Sequence, residues 1–463
     1  MNRTLWLILA LCALLGLGFA WTAPLGSAPD EGAHLQYVRV LATEGRLPAL
    51  NITRRRDRDR DPHYEAHQPP LYYALAVPFY HVGRLIGGEP AAGQACRVLS
   101  ILLGLAGVAL VWLLAREVAP DRPALWIAAA GFTAFLPMRL HVIASVSNDA
   151  LAEATSSLAL LVMVRAVLGK WDLRRAALLG GALGLAFLAK QSSIMLFPPA
   201  LLAIYLATRR EVLGDRAAPA TDEEEAALQR EIGGWFLRTS AAAGGVLLLL
   251  TGWWLVRNTL LYGDPIGQGA FDWYFADTPR WVDFRDAGYS FGRYLGELVL
   301  PTTFATFWGA FGHLSPEHPE LFLGGYGRGY PPPSTVYPWL ALATLLSAAG
   351  GLVYAWRSRR VEPPTTPGTR PAVWVLGAHA IFVVAAFFRF NATYFQAQGR
   401  YLFPAIGALA LALSGGWLEW TRWGRPVPGS SRAELAGAWL VVAAMLILAV
   451  YALFWVLPAL QSL

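Results

Sequence analysis

The feature of this sequence that most constrains its fold is a series of long apolar runs. Runs of about 18 or more apolar residues are long enough to cross a bilayer as helices. One of these runs, 176–208, is interrupted only by Lys190-Gln191-Ser192-Ser193, and we divide it into two spans at this interruption. The sequence therefore predicts an all-α polytopic membrane protein with about eleven transmembrane helices. The other nine spans lie near 4–24, 96–115, 124–142, 149–168, 238–256, 336–355, 372–388, 402–420 and 436–457.

Three segments leave alternatives open. Residues 69–87 are fairly apolar but contain Pro78, His81 and Arg84, and we interpret them as an amphipathic juxtamembrane helix at the membrane surface. Residues 295–314 are a candidate re-entrant or spanning segment. The first run has Arg3 before it and small residues after it, so a signal peptide is the alternative to a retained span.

The basic residues orient the chain, because cytoplasmic loops of membrane proteins are rich in Lys and Arg. If 69–87 does not span, most short basic segments fall on the side of Arg3. We therefore expect a single integral membrane domain over 1–463 in the plasma (inner) membrane, with its active site on the outer or periplasmic face. Two long outer loops follow from this topology, 25–95 and 257–335. The first would carry juxtamembrane helices and the catalytic acids.

Composition excludes several other classes of protein. The chain is 56% hydrophobic and only 15% charged over 463 residues, which leaves too little charge for the surface of a soluble enzyme. Its net charge of +6 comes from basic residues beside apolar runs, so we expect no nucleic-acid partner. The two cysteines, Cys12 and Cys96, form no metal or disulfide motif.

Acidic and histidine side chains mark the first outer loop. Asp30 and Glu31 come directly after the first span, and His34 is four residues from Asp30, so a helix here would place Asp30 and His34 on one face. The alternative for Asp30 is an N-cap of a short helix that ends at Gly45. Farther along, Glu65 and His67 precede Pro69-Pro70-Leu71-Tyr72-Tyr73.

These side chains suggest an acidic, histidine-containing pocket at the membrane surface. Asp30, Glu65 and His67 are candidate ligands for a divalent metal, although their spacing is not diagnostic. The alternative is a Pro-Pro helix start with tyrosines at the lipid interface. The charged run Arg54–Asp61 is interpreted as a solvated loop, or else as a contact with an anionic acceptor or lipid headgroups.

Further charged residues lie at the predicted outer ends of later spans. Asp149 is the first residue of the fourth predicted span. It is either a functional acid at the membrane surface or an N-cap of that helix. Three cations, Lys190, Arg257 and Arg400, the last followed by Tyr401, occur at one predicted depth. Because these three cations are predicted to lie opposite the acids, they fit a binding site for the headgroup of an anionic lipid whose tail lies in the bilayer. The stretch Thr306–His313 mixes aromatics with glycines, which suits interfacial packing or a wall that stacks on sugars.

Several of these motifs occur in a familiar order. They are Asp30-Glu31 after the first span, Glu65 followed by Pro69-Pro70-Leu71-Tyr72-Tyr73, Ser147-Asn148-Asp149, Gly184–Lys190, Trp253-Trp254-x-x-Arg257-Asn258 with Tyr262-Gly263-Asp264-Pro265, and Gly399–Pro404. In this order the chain resembles the GT-C superfamily of membrane glycosyltransferases, which includes protein O-mannosyltransferases and lipid A aminoarabinose transferases. The resemblance extends over nearly the whole chain.

The resemblance implies a glycosyltransferase that moves a sugar, hexosyl or pentosyl, from a polyprenyl-phosphate carrier to a lipid, glycan or protein acceptor. It implies that Asp30 is the catalytic acid/base, that Glu65 lies near a metal or the donor phosphate, and that Asp149 is the second acid of the cavity. Lys190 and Arg400 would contact the phosphate, and we add Arg257 and Tyr401 to that set. Glu31, His34 and His67 complete the expected pocket. One departure is Ala66, where the aminoarabinose transferases have a lysine after the glutamate.

Two other functions stay open at this stage. A transporter or flippase of lipid-linked sugars would explain the spans and the outer cations. Such a protein would place polar groups near the bilayer midplane or contain inverted repeats, and we find no internal repeat. A non-catalytic membrane scaffold is the third hypothesis, and it gives no reason for outer acids and cations to meet.

Overall fold

A computed structural model describes residues 3–51, 64–214, 216, 219–311, 336–360, 369–422 and 430–460. The charged run Arg54–Asp61 and the last residues of the Thr306–His313 stretch lie outside these ranges. The described residues form helices and one isolated β-bridge between Arg280 and Tyr394, without a strand among them. The α-helices are α1 (Arg3–Thr22), α2 (Glu31–Glu44), α3 (Leu71–Val118), α4 (Pro123–Phe135), α5 (Pro137–Ile143), α6 (Asp149–Leu168), α7 (Leu173–Ala189), α8 (Phe197–Leu213), α9 (Asp222–Tyr262), α10 (Gln268–Tyr274), α11 (Trp281–Asp286), α12 (Phe291–Arg293), α13 (Leu300–Trp308), α14 (Val336–Arg360), α15 (Thr369–Thr393), α16 (Ile406–Thr421), α17 (Arg432–Tyr451) and α18 (Leu457–Leu460).

The all-α membrane fold predicted from the apolar runs is confirmed. In the described part of the chain, nine helices are long and apolar enough to cross a membrane, and the bent pair α4 and α5 makes ten. Helix α7, with 17 residues, is at the lower limit of length for a span. The predicted number of eleven is close to this count. The described part of the segment 295–314, residues 295–311, contains no helix that meets the length and hydropathy needed for a span, and α13 ends at Trp308.

Helix α3 contains residues 71–87 of the segment 69–87 and the whole of the second predicted span, 96–115. The helix is bent at Gly87 and Gly88, and Gly88 has a φ of 71°, which favours glycine. The first arm folds back on the second, since the Tyr72 hydroxyl lies 2.7 Å from Ser100 Oγ and the Tyr80 hydroxyl donates to Glu89. A Cβ on Gly83 would lie 2.4 Å from the Ala91 carbonyl oxygen, so glycine allows this close approach.

The third predicted span, 124–142, is broken in the structure. Helices α4 and α5 meet at an angle of 61° because Pro137 disfavours a helical conformation at Leu136, which is extended. Arg139 donates to the Thr133 carbonyl freed by the break and to the Gly104 carbonyl, at 3.1 and 2.7 Å. Its guanidinium also pairs with Glu153 inside the bundle, a buried ion pair that sequence reasoning missed.

The split at Lys190 is confirmed, and the helix after α8 begins earlier than predicted. Helix α7 ends at Ala189, and a short 3₁₀ turn, Gln191–Leu196, leads into α8. Helix α9 begins at Asp222, well before the predicted span at 238, and its first turn is the acidic run Asp222–Glu225. Thr221 Oγ1 accepts from the Glu224 amide, and carboxylates are favourable at the positive end of a helix dipole.

The two predicted outer loops contain short helices. The first holds α2, which ends at Gly45 as predicted, and the first arm of α3. The second holds α10 to α13, with a π-helical turn, Tyr294–Val299, before α13. Phe307 and Trp308 of the Thr306–His313 stretch are buried in the bundle core. The described part of this stretch therefore packs in the core and does not line the cavity of the candidate site.

Helices α14 and α16 touch through glycine. A Cβ on Gly350 would lie 1.9 Å from the Gly416 carbonyl oxygen, and one on Gly416 would lie 1.8 Å from the Ser347 carbonyl oxygen. Small residues let membrane helices approach this closely, which compensates for the weak hydrophobic drive between helices in lipid. This contact attaches the little-buried α14 to the bundle.

We expect Gly416→Ala to destabilise the protein by about 1–3 kcal/mol, because its methyl group forces α14 and α16 apart. Thermal unfolding in lipid nanodiscs measures this loss. Gly351→Ala is the matched control, since a Cβ at Gly351 meets nothing within 4 Å. Equal stability of the two variants would show that the close glycine contact does not hold α14 in place.

Candidate active site

Five predicted site residues come together at one end of the helical bundle. Asp30 follows the end of α1, Asp149 is the first residue of α6, and Lys190 follows the end of α7. Arg400 and Tyr401 lie in the 3₁₀ turn Gly399–Ala405 before α16. Their side chains line a cavity of about 1050 Å³, together with His34, Glu65 and His67.

The charged side chains form a closed ion cluster. Arg400 Nη2 donates to Asp30 Oδ2 at 2.5 Å, and its Nη1 donates to Asp149 Oδ2 at 3.2 Å. Lys190 Nζ donates to the other oxygen of Asp149. Each carboxylate therefore has a cationic partner, and Arg400 joins the two. The N-cap alternatives do not account for Asp30 and Asp149, because their carboxylates pair with Arg400 and Lys190.

The backbone aims Asp30 at this cluster. Asp30 is in the left-handed region, with φ 63°, and it is the only non-glycine residue with positive φ in the described ranges. It occupies the N-cap position of α2, but its side chain makes no capping hydrogen bond. Burial raises the pKa of Asp30, but the Arg400 guanidinium outweighs this effect, so the pKa lies below its usual range. Asp30 is therefore ionised at neutral pH.

Glu31 does not line the cavity, in contrast to the prediction. Both of its oxygens accept from Arg97 at 2.7 Å, and neither side chain is exposed. Glu31 also accepts from the amides of Gly26 at 2.7 Å and Val146 at 2.9 Å. Arg97 donates further to the carbonyls of Ala20, Ala23 and Pro24. This pair ties the α1–α2 connection to α3 and to the loop before Asp149.

Glu65 and the two histidines form a buried, uncharged wall of the cavity. Burial and the nearby Asp30 charge raise the pKa of Glu65 to about 8, and its Oε2 has no hydrogen-bond partner. Burial lowers the pKa of His34 to about 3 and that of His67 to about 4. His34 Nδ1 lies 2.8 Å from the hydroxyl of Tyr73. At neutral pH this wall adds no net charge.

The predicted metal ligands do not converge. Among the described residues, which include Asp30, Glu65 and His67, no three His, Cys, Asp or Glu side chains are placed to hold one ion. His67 Nε2 lies 3.9 Å from Glu65 Oε2 and accepts from Gln68 Nε2 at 2.9 Å, while Asp30 faces Arg400. These side chains do not fit a metal site in this arrangement.

The remaining predicted phosphate contacts differ in position. Tyr401 lines the cavity, with Lys190 Nζ 5.5 Å and the Arg400 guanidinium 5.3 Å from its ring centroid. Arg257 does not reach the cavity. It donates to the Pro48 carbonyl at 2.5 Å and lies 4.6 Å from the ring centroid of Trp254, so it fastens α9 to the segment after α2.

Helix α15 supplies a wall that sequence reasoning missed. Apolar side chains of this helix line the cavity beside the ion cluster, among them Phe382, Val383, Ala386 and Phe390. Phe382 is 39% exposed, so this wall reaches the outer surface of the bundle. Arg389 of the same helix also lines the cavity. The only signal in the sequence is one arginine near the end of an apolar run, which is typical of any membrane helix.

Comparisons with known proteins agree with this architecture. Residues 67–219 match the profile of the dolichyl-phosphate-mannose-protein mannosyltransferase family, which is less than half of the chain. No curated protein sequence matches the chain.

An archaeal oligosaccharyltransferase and the bacterial protein ArnT are among the solved structures that resemble the chain. The oligosaccharyltransferase of Archaeoglobus fulgidus, tethered with an acceptor peptide, matches with a TM-score of 0.51 and 15% identity over 97% of this chain and 55% of that one. This chain thus spans about half the length of the archaeal enzyme. ArnT from Cupriavidus metallidurans, bound to undecaprenyl phosphate, matches with a TM-score of 0.48 and 18% identity over 98% of this chain and 73% of that one. The predicted resemblance to GT-C membrane glycosyltransferases is confirmed.

We expect Glu31→Ala to cost about 3–5 kcal/mol of stability, because it leaves Arg97 charged and buried without its partner. Glu44→Ala on the same helix is the control, since Glu44 pairs with Arg46 at the surface and should change stability by about 0.5 kcal/mol or less. Thermal unfolding in nanodiscs compares the two. A Glu31 variant as stable as the Glu44 variant would contradict the importance of the buried pair.

The raised pKa of Glu65 predicts a pH-dependent effect of Glu65→Gln. Between its ordinary pKa and about 8, the folded protein holds a proton on Glu65 that the unfolded chain releases, so wild-type stability falls as pH rises. Glutamine mimics the protonated acid at every pH. The variant should therefore gain stability relative to wild type as pH rises from about 6 to about 8. Melting temperatures at several pH values test this, and a constant difference would exclude it.

Proposed function

We propose that this protein is a glycosyltransferase that moves a sugar from a polyprenyl-phosphate carrier to an acceptor hydroxyl, with Asp30 as the general base. One observation carries the proposal. A single cavity combines an ionised carboxylate, two cations and an apolar wall that reaches the surface of a membrane bundle. That combination suits an amphiphile with an anionic headgroup and a hydrocarbon tail.

The proposed reaction is a single displacement at the anomeric carbon. The acceptor oxygen forms a bond to that carbon as the bond to the phosphate oxygen breaks, which inverts the configuration. The acceptor proton passes to Asp30, and such base catalysis contributes about 10²–10⁴-fold. The leaving group is a phosphate that needs charge stabilisation rather than a strong acid. In this proposal Lys190, Arg400 and Tyr401, which line the cavity, supply that stabilisation.

Arg400 links donor binding to the base. In the ion cluster its guanidinium holds Asp30 ionised but also lowers its basicity. A donor phosphate competes with Asp30 for Arg400, because phosphate and carboxylate match the same guanidinium geometry. When the phosphate takes this contact, Asp30 loses a cationic partner and becomes a stronger base. The acceptor is thus activated only when the donor is bound.

The matched family supports a lipid-linked donor, since its name describes transfer of mannose from dolichyl phosphate to protein. The archaeal structure carries an acceptor peptide, which supports an acceptor bound from outside the bilayer. For this chain we keep the acceptor class as lipid, glycan or protein. The positive-inside pattern supports a cavity on the outer face of the plasma membrane.

We expect Asp30→Asn to lower release of free polyprenyl phosphate by about 10²–10⁴-fold, because asparagine cannot accept the proton. The assay uses purified protein in nanodiscs, a pool of polyprenyl-phosphate sugars and host membrane extract as the acceptor. Asp286→Asn, an exposed carboxylate paired with Arg285, is the control and should retain activity.

Two outcomes would count against the proposal. Turnover by Asp30→Asn at the wild-type rate would remove Asp30 from the role of base. Movement of the intact donor across proteoliposomes by wild type, without release of polyprenyl phosphate, would favour the transporter. The labelled product of an active wild type identifies the acceptor class.

A further inference from the structure

The ion cluster leaves no uncompensated positive charge for a phosphate. Arg400 and Lys190 are balanced by Asp30 and Asp149, with which they form hydrogen bonds. The other titratable side chains of this wall, Glu65, His34 and His67, are neutral near pH 7. An anionic headgroup that entered here would make the site net negative unless a further cation lay close by.

Arg389 is a cation of that kind. It lines the same cavity, and the structure gives its guanidinium no ion pair or hydrogen bond among the described residues. The other predicted cation, Arg257, is engaged elsewhere. Asp272 lines the cavity at the neighbouring rim, where its carboxylate accepts from the Tyr394 hydroxyl and from Gln268, and Arg280 donates to its backbone carbonyl. None of these contacts joins the Asp272 carboxylate to Arg389.

The position of Arg389 on α15 fits the shape of an amphiphile. Phe382, Val383 and Ala386 precede it on the cavity-lining part of the same helix, and Phe390 follows it. At about 1.5 Å per residue, Phe382 lies about 10 Å farther along the helix axis, toward the middle of the span. A single helix therefore presents a cation at its end and an apolar track below it.

We propose that Arg389 binds the phosphate of the polyprenyl-phosphate carrier, and that it determines selection of the anionic lipid over its neutral alcohol. This inference rests on the proposed function. The headgroup lies between Arg389 on one side and Arg400 and Lys190 on the other, and the isoprenoid chain follows the apolar face of α15. A guanidinium gives two parallel N–H donors to phosphate oxygens, which a point charge does not.

Binding of undecaprenyl phosphate and of undecaprenol to purified protein in neutral-lipid nanodiscs tests this assignment. Wild type should prefer the phosphate. Arg389→Gln should weaken phosphate binding by roughly 10- to 100-fold, the loss of a charged hydrogen bond, and leave undecaprenol binding unchanged. Arg389→Lys should recover part of the lost affinity, because lysine restores the positive charge but not the two parallel N–H donors of a guanidinium. Arg370→Gln, near the opposite end of α15, is the matched control and should behave as wild type.

The outcomes distinguish failure of the Arg389 assignment from failure of the proposed function. If wild type prefers the phosphate and Arg389→Gln retains that preference, the role of Arg389 is overturned and the proposed function stands. Equal loss of phosphate and alcohol binding in Arg389→Gln would also overturn it, since that pattern indicates a structural role. If wild type itself binds undecaprenyl phosphate and undecaprenol equally, the proposal of a lipid-phosphate donor is contradicted. The inference about Arg389 is then contradicted as well.

Discussion

The bridge that Arg400 makes between Asp30 and Asp149 is the interaction on which the site depends. Arg400 is separated from Asp30 by 370 positions in the chain and from Asp149 by 251 positions. The bridge therefore fixes the end of α1 and the start of α6 against the turn before α16. All three side chains are largely buried, and a buried carboxylate is stable in its ionised form only with such a partner. The same contact that closes the bundle at this end therefore keeps Asp30 charged and sets its basicity.

Much of the fold could be predicted, because a membrane span must bury its own backbone polar groups and so appears as a long apolar run. The break at Lys190 was predictable for the same reason, since four polar residues cannot stay inside a bilayer without partners. The bend between α4 and α5 was not predicted, although Pro137 marks it. Its stability depends on Arg139, which donates to a carbonyl from α4 and to one from α3. Such a contact depends on tertiary packing rather than on the local pattern.

The candidate site was predictable to a lesser degree. Asp30, Asp149, Lys190 and Arg400 could be found because charged residues at span ends are few and must be satisfied. Glu31 could not be separated from Asp30, because the left-handed backbone at Asp30 sends the two neighbouring carboxylates in different directions. Arg257 and Arg389 have similar sequence contexts near the ends of apolar runs. They are distinguished only by the tertiary structure, in which Arg257 contacts Pro48 and Trp254 whereas Arg389 lines the cavity.

The interruptions of helical structure around the cavity follow from one constraint. Helix α1 ends before Asp30, α5 and α6 are separated before Asp149, α7 and α8 are separated at Lys190, and a 3₁₀ turn carries Arg400. Each interruption frees backbone groups that lipid cannot satisfy, so it is tolerated only where the chain lines a polar cavity or is buried in protein. The glycosyltransferase that we propose, with its amphiphilic donor, needs such a cavity beside an apolar wall. Four interruptions at one end of the bundle, next to the continuous apolar helix α15, are the arrangement that meets both requirements.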